Sequence, residues 1–176
     1  NNYANLKTLV NDYDGAIQLY KKAYSIIEKI DNVPKSSVAG ILFSLAVAYQ
    51  SANKIEETQK TIKKILTIDP SHVGAHKLIG SLIKYSNDNE ESMKHLKEME
   101  EVDKQINDQD LLKKVDISYA LGKSYEDLKN YEKAFHYLSK ANQLKFDKKG
   151  SNLEAEKKAI RNIIKIFEGI DLNNSN

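Results

Sequence analysis

Between Tyr119 and Ala141, small and apolar residues recur on both sides of a single polar break, and this limits the chain more than any other feature. They fall at Leu121, Gly122, Tyr125 and Leu128, then at Tyr131, Ala134, Leu138 and Ala141, with Lys129-Asn130 between. Each set follows a helical period, and the break carries turn residues, so the stretch predicts two helices joined by a short turn. Gly122 and Ala134 are placed where one helix approaches the next. Tyr125, Tyr131 and Leu138 are sized to fill the space around that approach.

The same spacing returns upstream. Tyr13, Ala16, Tyr20 and Ala23 repeat the second half, while Leu42, Leu45, Ala46 and Tyr49, followed by Thr58, Ile62 and Ile65, repeat both halves. Ile79, Gly80 and Ile83 with Ser92, Leu96 and Met99 give a weaker copy. Leu45 and Ile79 are 34 residues apart, whereas Tyr3 to Leu45 and Ile79 to Leu121 are each 42, so long and short units alternate. The pattern resembles the tetratricopeptide repeat. That resemblance implies an all-α, right-handed solenoid of about four helix pairs, over residues 1–32, 36–70, 71–106 and 110–146, with residues 1–146 as the array.

Within these units the expected helices end near Val10, Ile30, Ala52, Asp69, Tyr85, Ile106, Leu128 and Leu144. Ser36, Ser71 and Asp110 are candidate N-caps. Thr58 stands where the repeat prefers alanine, so its pair should be slightly more open or its hydroxyl bonded back to the backbone. A loop is expected over 147–151 and a capping helix over 151–170, started by Ser151 or Asn152, with Ala155, Ala159, Ile160, Ile163, Ile164 and Phe167 on its apolar side. Residues 171–176 read as a polar tail.

Two prolines and seven glycines in 176 residues are too few breakers for a sandwich or barrel. No apolar run reaches membrane-spanning length, so no membrane partner is expected. The absence of cysteine removes disulfides, thiolate chemistry and cysteine-ligated zinc. A net charge of +2 does not announce nucleic acid, although residues 88–110 hold nine acids against three lysines and residues 140–165 eight bases against three acids. Both runs are read as solvated helix faces. The chain starts at Asn1 without a methionine or signal segment, so a piece of a longer, cytoplasmic protein is expected.

A narrower resemblance attaches to Ala120-Leu121-Gly122-Lys123, Tyr125-Glu126-Asp127-Leu128, Ala134-Phe135, Ala141-Asn142 and Ile166-Phe167. This combination is similar to the segment that precedes the catalytic domain in bacterial tetratricopeptide proteins carrying a sulfotransferase domain. It implies a non-catalytic arm with a covalently linked C-terminal sulfotransferase domain. A stand-alone adaptor for complex assembly is the alternative. The glycine-containing phosphate loop such an enzyme needs is not in this sequence, so no catalytic residue is assigned.

Other chemistry reads as structure. His72 and His76 share a helix face, yet no glutamate follows His72 and no third ligand is evident, so neither metal nor cofactor is expected. His95 and His136 carry no catalytic signature. Paired acids such as Glu56-Glu57 and Glu90-Glu91 lack the desolvation that acid-base work needs.

The binding surface is expected on the concave face, where the first helix of each pair presents Asn5, Phe43, Val47, Gln50, Lys77, Ser81, Lys84, Tyr119, Lys123 and Glu126. Amides suit a peptide backbone and lysines its acidic groups, so a protein or peptide ligand is the expected partner. Asn5 and Lys77 also match two places of the terminal-carboxylate clamp in repeat domains that partner chaperones. Val47 and Ser81 occupy places where that clamp has a second asparagine and a basic residue, which disfavours it.

Overall fold

The computed structural model describes residues 2–168, which form eight helices and, among the described residues, no strand. They are α1 (Asn2–Leu9), α2 (Tyr13–Ile27), α3 (Lys35–Ser51), α4 (Ile55–Ile68), α5 (Val73–Leu82), α6 (Glu90–Gln105), α7 (Leu111–Asp127) and α8 (Tyr131–Glu168). Successive helices pair as α1/α2, α3/α4, α5/α6 and α7/α8, and each pair packs on the next, giving an all-α solenoid.

One turn serves three of the four pairs. The first helix ends in a left-handed residue, Asn11 (φ 61°), Asn53 (φ 56°) or Lys129 (φ 58°). The next amide then donates back to a carbonyl in the helix: Asp12 to Lys7 at 2.8 Å, Lys54 to Tyr49 at 2.9 Å and Asn130 to Tyr125 at 2.9 Å. This closure satisfies the last carbonyls and reverses the chain within a few residues. The third pair lacks it. There α5 stops at Leu82, short of the expected Tyr85, and Ile83 is extended (φ −108°, ψ 154°).

Three apolar clusters each join one pair to the next first helix. Ala16, Ile17 and Tyr20 meet Leu45, Ala48 and Tyr49. Leu42, Ala46, Ile62 and Ile65 meet Ala75, Leu78 and Ile79. Leu96, Met99 and Val102 meet Ile117, Leu121, Tyr125 and Ala134. No unit buries its own apolar face alone, so stability comes from stacking. Thr58 is fully buried and its hydroxyl donates to the Lys54 carbonyl at 2.7 Å, the second of the two outcomes its chemistry allowed.

Ser118 is different. Its hydroxyl is fully buried on α7 and, among the described residues, has no hydrogen-bond partner. Removing it should relieve a desolvation cost, so Ser118→Ala is expected to raise unfolding free energy by about 1 kcal/mol in urea denaturation. A loss of stability would mean that the hydroxyl has a partner.

Several expected boundaries shift. α2 ends at Ile27 rather than Ile30. The N-caps of α3 and α5 are Pro34 and His72, in place of Ser36 and Ser71, while Asp110 caps α7 as expected. Ser71 instead bonds Asp69, and the His72 ring accepts the Ala75 amide at 3.1 Å.

The largest correction is at 147–151, where the expected loop is helical and α8 runs unbroken for 38 residues. A single glycine costs a helix only about 1 kcal/mol, less than surrounding Lys, Gln and Glu residues recover by staying helical. Gln143 also donates to Asp147 at 2.8 Å, one turn on. Residues 151–168 thus continue α8 and do not start a separate helix. Tyr131 and Phe135 on α8 stay 66% and 75% exposed. The side chains of Ala155, Ala159, Ile163, Ile164 and Phe167, like the tail 171–176, lie outside the described residues.

Candidate functional site

The first helices α3, α5 and α7 lie side by side, α3 against α5 through the shared apolar cluster and α5 against α7 directly. These helices carry most of the expected groove residues. Phe43 and Val47 are half-buried on α3, packed against its core. The Phe43 ring lies 5.0 Å from that of His72 and fits because Gly74 lacks a side chain: a Cβ there would come within 2.8 Å of the ring. Gln50 is half-buried and Glu126 exposed.

Other residues are already engaged. Lys77 reaches from α5 to Asp116 on α7 at 2.6 Å. Ser81 donates to the Leu78 carbonyl at 2.7 Å, and Tyr119 to Asn142 on α8 at 2.6 Å. Asn5 accepts from the Tyr20 hydroxyl. With Asn5 and Lys77 both occupied inside the protein, the carboxylate-clamp pattern has no free member among its two matches. Lys84 is exposed at the unwound end of α5 and, among the described residues, makes no ion pair.

Lys123 does structural work that its spacing does not reveal. Its ammonium donates to the Ile83 carbonyl and to Asp127 (2.6 Å), and lies 5.3 Å from the centre of the Tyr85 ring. Asp127 in turn accepts the Tyr85 amide at 3.1 Å. Two residues of α7 therefore supply the partners that α5 loses by ending early. This holds residues 83–85 in an extended run that turns Tyr85 inward, where it is 1% exposed.

Inside, Tyr85 meets two buried histidines. The His76 Nε2 atom is 2.8 Å from the Pro70 carbonyl, His76 Nδ1 is 3.0 Å from His95 Nε2, and His95 Nδ1 is 2.7 Å from the Tyr85 hydroxyl. A carbonyl can only accept, so His76 carries its proton on Nε2 and His95 donates to His76 from its own Nε2. Tyr85 then donates to His95. Burial lowers both imidazole pKa values, that of His95 to about 4, and pushes the Tyr85 hydroxyl up to about 12.

Because α5 is short, α5 and α6 meet over only a short stretch, and a cleft of about 560 Å³ opens between α4 and α6. His76, His95, Ile79 and Ile83 line it, and Lys63 and Glu91 bridge it at 2.6 Å. Every ring nitrogen of the two histidines is consumed internally, so the cleft offers no free imidazole for hydrogen bonding. His72 and His76 do not converge, and among the described residues no group of three His, Asp or Glu side chains could hold a metal. Sequence reasoning placed His76 in the packing register. It missed the burial of His95 and Tyr85.

Two stretches, residues 39–72 and 115–148, match the tetratricopeptide repeat. Over these two stretches the chain is similar to tetratricopeptide-repeat proteins. No curated protein matches it. The matched stretches cover α3/α4 and α7 with the start of α8, and the opened third pair lies between them. Repeats of this kind are typically non-enzymatic and present extended surfaces to protein partners. No described helix is long and apolar enough to cross a membrane.

Proposed function

We propose that the face formed by the first helices α3, α5 and α7 binds an extended, acidic peptide segment of a partner protein. The reading rests on a half-buried apolar pair on α3, Phe43 and Val47, and on Lys84 just after α5, which is exposed and has no ion-pair partner among the described residues. Apolar contacts of this kind supply affinity, Gln50 suits a peptide backbone, and the lysine selects for acid. Lys77, Ser81, Tyr119 and Lys123 are engaged within the protein, as is Asn5 on α1, and Glu126 disfavours a second acidic group beside the site.

Selection from a displayed library of random peptides tests the proposal. Acidic, extended sequences should be enriched, and Lys84→Ala should weaken a selected peptide about fivefold, the size of one exposed charge contact. Phe43→Ala should weaken it further, with circular dichroism unchanged. Unaltered affinity in both variants would remove this face as the site.

The finer reading is that the chain is the non-catalytic arm of a larger bacterial sulfotransferase-type protein, with a stand-alone adaptor as the alternative. It rests on the quoted residues between Ala120 and Phe167 alone. Coding sequence downstream of Asn176 without a phosphate-binding loop would decide for the adaptor.

A further inference from the structure

We propose that the chain Pro70–His76–His95–Tyr85 is a proton-operated latch on the third helix pair: one proton taken up by the two imidazoles releases the N-terminal half of α6 from α5.

The hydrogen-bond count makes the latch sensitive. Three hydrogens serve three acceptors in the neutral state, Tyr85 to His95, His95 to His76 and His76 to Pro70. An added proton on His76 Nδ1 would face the N–H of His95 across 3.0 Å. That conflict is relieved only if His95 shifts its proton to Nδ1 and Tyr85 re-aims its hydroxyl, which leaves a buried imidazolium. Neither ring has a carboxylate as a hydrogen-bond or ion-pair partner among the described residues.

The surrounding charges do not compensate at contact range. Burial, the largest effect, opposes protonation of His76 and His72 adds to it, and together they outweigh the Pro70 carbonyl, Glu98 on α6 and Asp69 before α5, which favour it. His95 is opposed by burial first and His76 second. On the far side, Asp127 and Lys123 of α7 hold each other and the backbone of residues 83–85. Lys63 and Glu91 neutralise each other across the cleft mouth, and Lys94 faces Glu98 along α6.

Mechanically, His76–His95 is a polar tie between two helices that otherwise meet briefly, beside the bonds of Ser92 on α6 to the Ser86 backbone. The C-terminal half of α6 is anchored elsewhere, with Met99 and Val102 in the cluster built around α7. Release therefore swings residues 90–95 outward and widens the cleft.

The sign follows from both imidazoles having lowered pKa values in the closed state. The open state binds more protons between the ordinary imidazole value, 6.5, and about 4. Closure is therefore fully favoured above that window and is lost as pH falls through it.

Hydrogen exchange on the whole chain tests this. Between about pH 7.5 and pH 5, and after correction for intrinsic rates, amides of residues 90–95 should lose on the order of tenfold in protection while those of α3 keep theirs. In the variant His76→Leu/His95→Leu/Tyr85→Phe, which removes donors and acceptors together, protection should not change with pH. Unchanged protection in the wild type, or an equal loss in the variant, would overturn the latch. Should the variant not fold, imidazole nitrogen-15 titration of the wild type decides. Protonation of either ring near its ordinary value with α6 still protected would refute the proposal, and protonation together with loss of protection would support it.

Discussion

Replacing Tyr85 with alanine is expected to lower unfolding free energy by about 3–5 kcal/mol, the range for truncating a fully buried aromatic side chain. The ring is 1% exposed and packs within the cluster of Val73, Leu96, Met99 and Ile117. It is also stacked against His95 with 6.0 Å between ring centres. Truncation removes that packing and strips His95 Nδ1 of its donor. Tyr85→Phe separates the two effects: the ring stays, the donor goes, and the expected loss is about 1–2 kcal/mol. Urea denaturation at neutral pH measures both. In a stacked array the damage should stay local, so hydrogen exchange should rise across α5 and α6 before it rises in α3 and α4. An alanine variant that loses less than about 1 kcal/mol would mean that Tyr85 is not part of the core.

This dependence on Tyr85 explains where the sequence was legible and where it was not. The helix pairs were readable because a period of apolar and small residues survives in each copy, and Asn11, Asn53 and Lys129 mark the turns by position. The third pair follows the same period, which predicts α5 continuing to Tyr85. Its actual end depends on Lys123 and Asp127, about 40 residues downstream, giving the backbone of Ile83 and Tyr85 other partners. No local window contains that information. The same distance hid the role of Lys123: its position in the repeat is that of a groove residue, and only α5's early stop turns its ammonium inward.

The histidines show the complementary case. His76 falls at a packing place and was readable as a buried residue, but its partner lies on another helix 19 residues away. Spacing within a helix pointed to His72 instead, which caps α5 and lies tilted against Phe43. At residues 147–151 the failure was of another kind. Gly150 and Ser151 are turn formers by propensity, yet the neighbouring helix formers outweigh them, and nothing there supplies the capping geometry that ends a helix.

Gly122→Ala is expected to destabilise the protein by about 1–2 kcal/mol, although the same change on an open helix surface would stabilise it by about 1 kcal/mol. A Cβ at Gly122 would lie 2.7 Å from Cγ and Cδ2 of Leu138 and 3.4 Å from its backbone nitrogen. Because Cγ is the branching carbon and not the free end of the side chain, relief requires a new Leu138 rotamer or separation of α7 from α8. Leu138→Ala makes room, so the double variant should lose at least about 1 kcal/mol less than the two single losses combined. Gly80 is the control, since it occupies the matching place in the third pair. There a Cβ would meet only the Tyr85 hydroxyl oxygen, at 3.3 Å, so Gly80→Ala should stay within about 1 kcal/mol of wild type. The contrast reads out packing directly, because a small residue is required only where the two helices of a pair touch. Equal losses at both glycines would mean that α5 and α6 close as tightly as α7 and α8, leaving no opened third pair for the histidine network to hold.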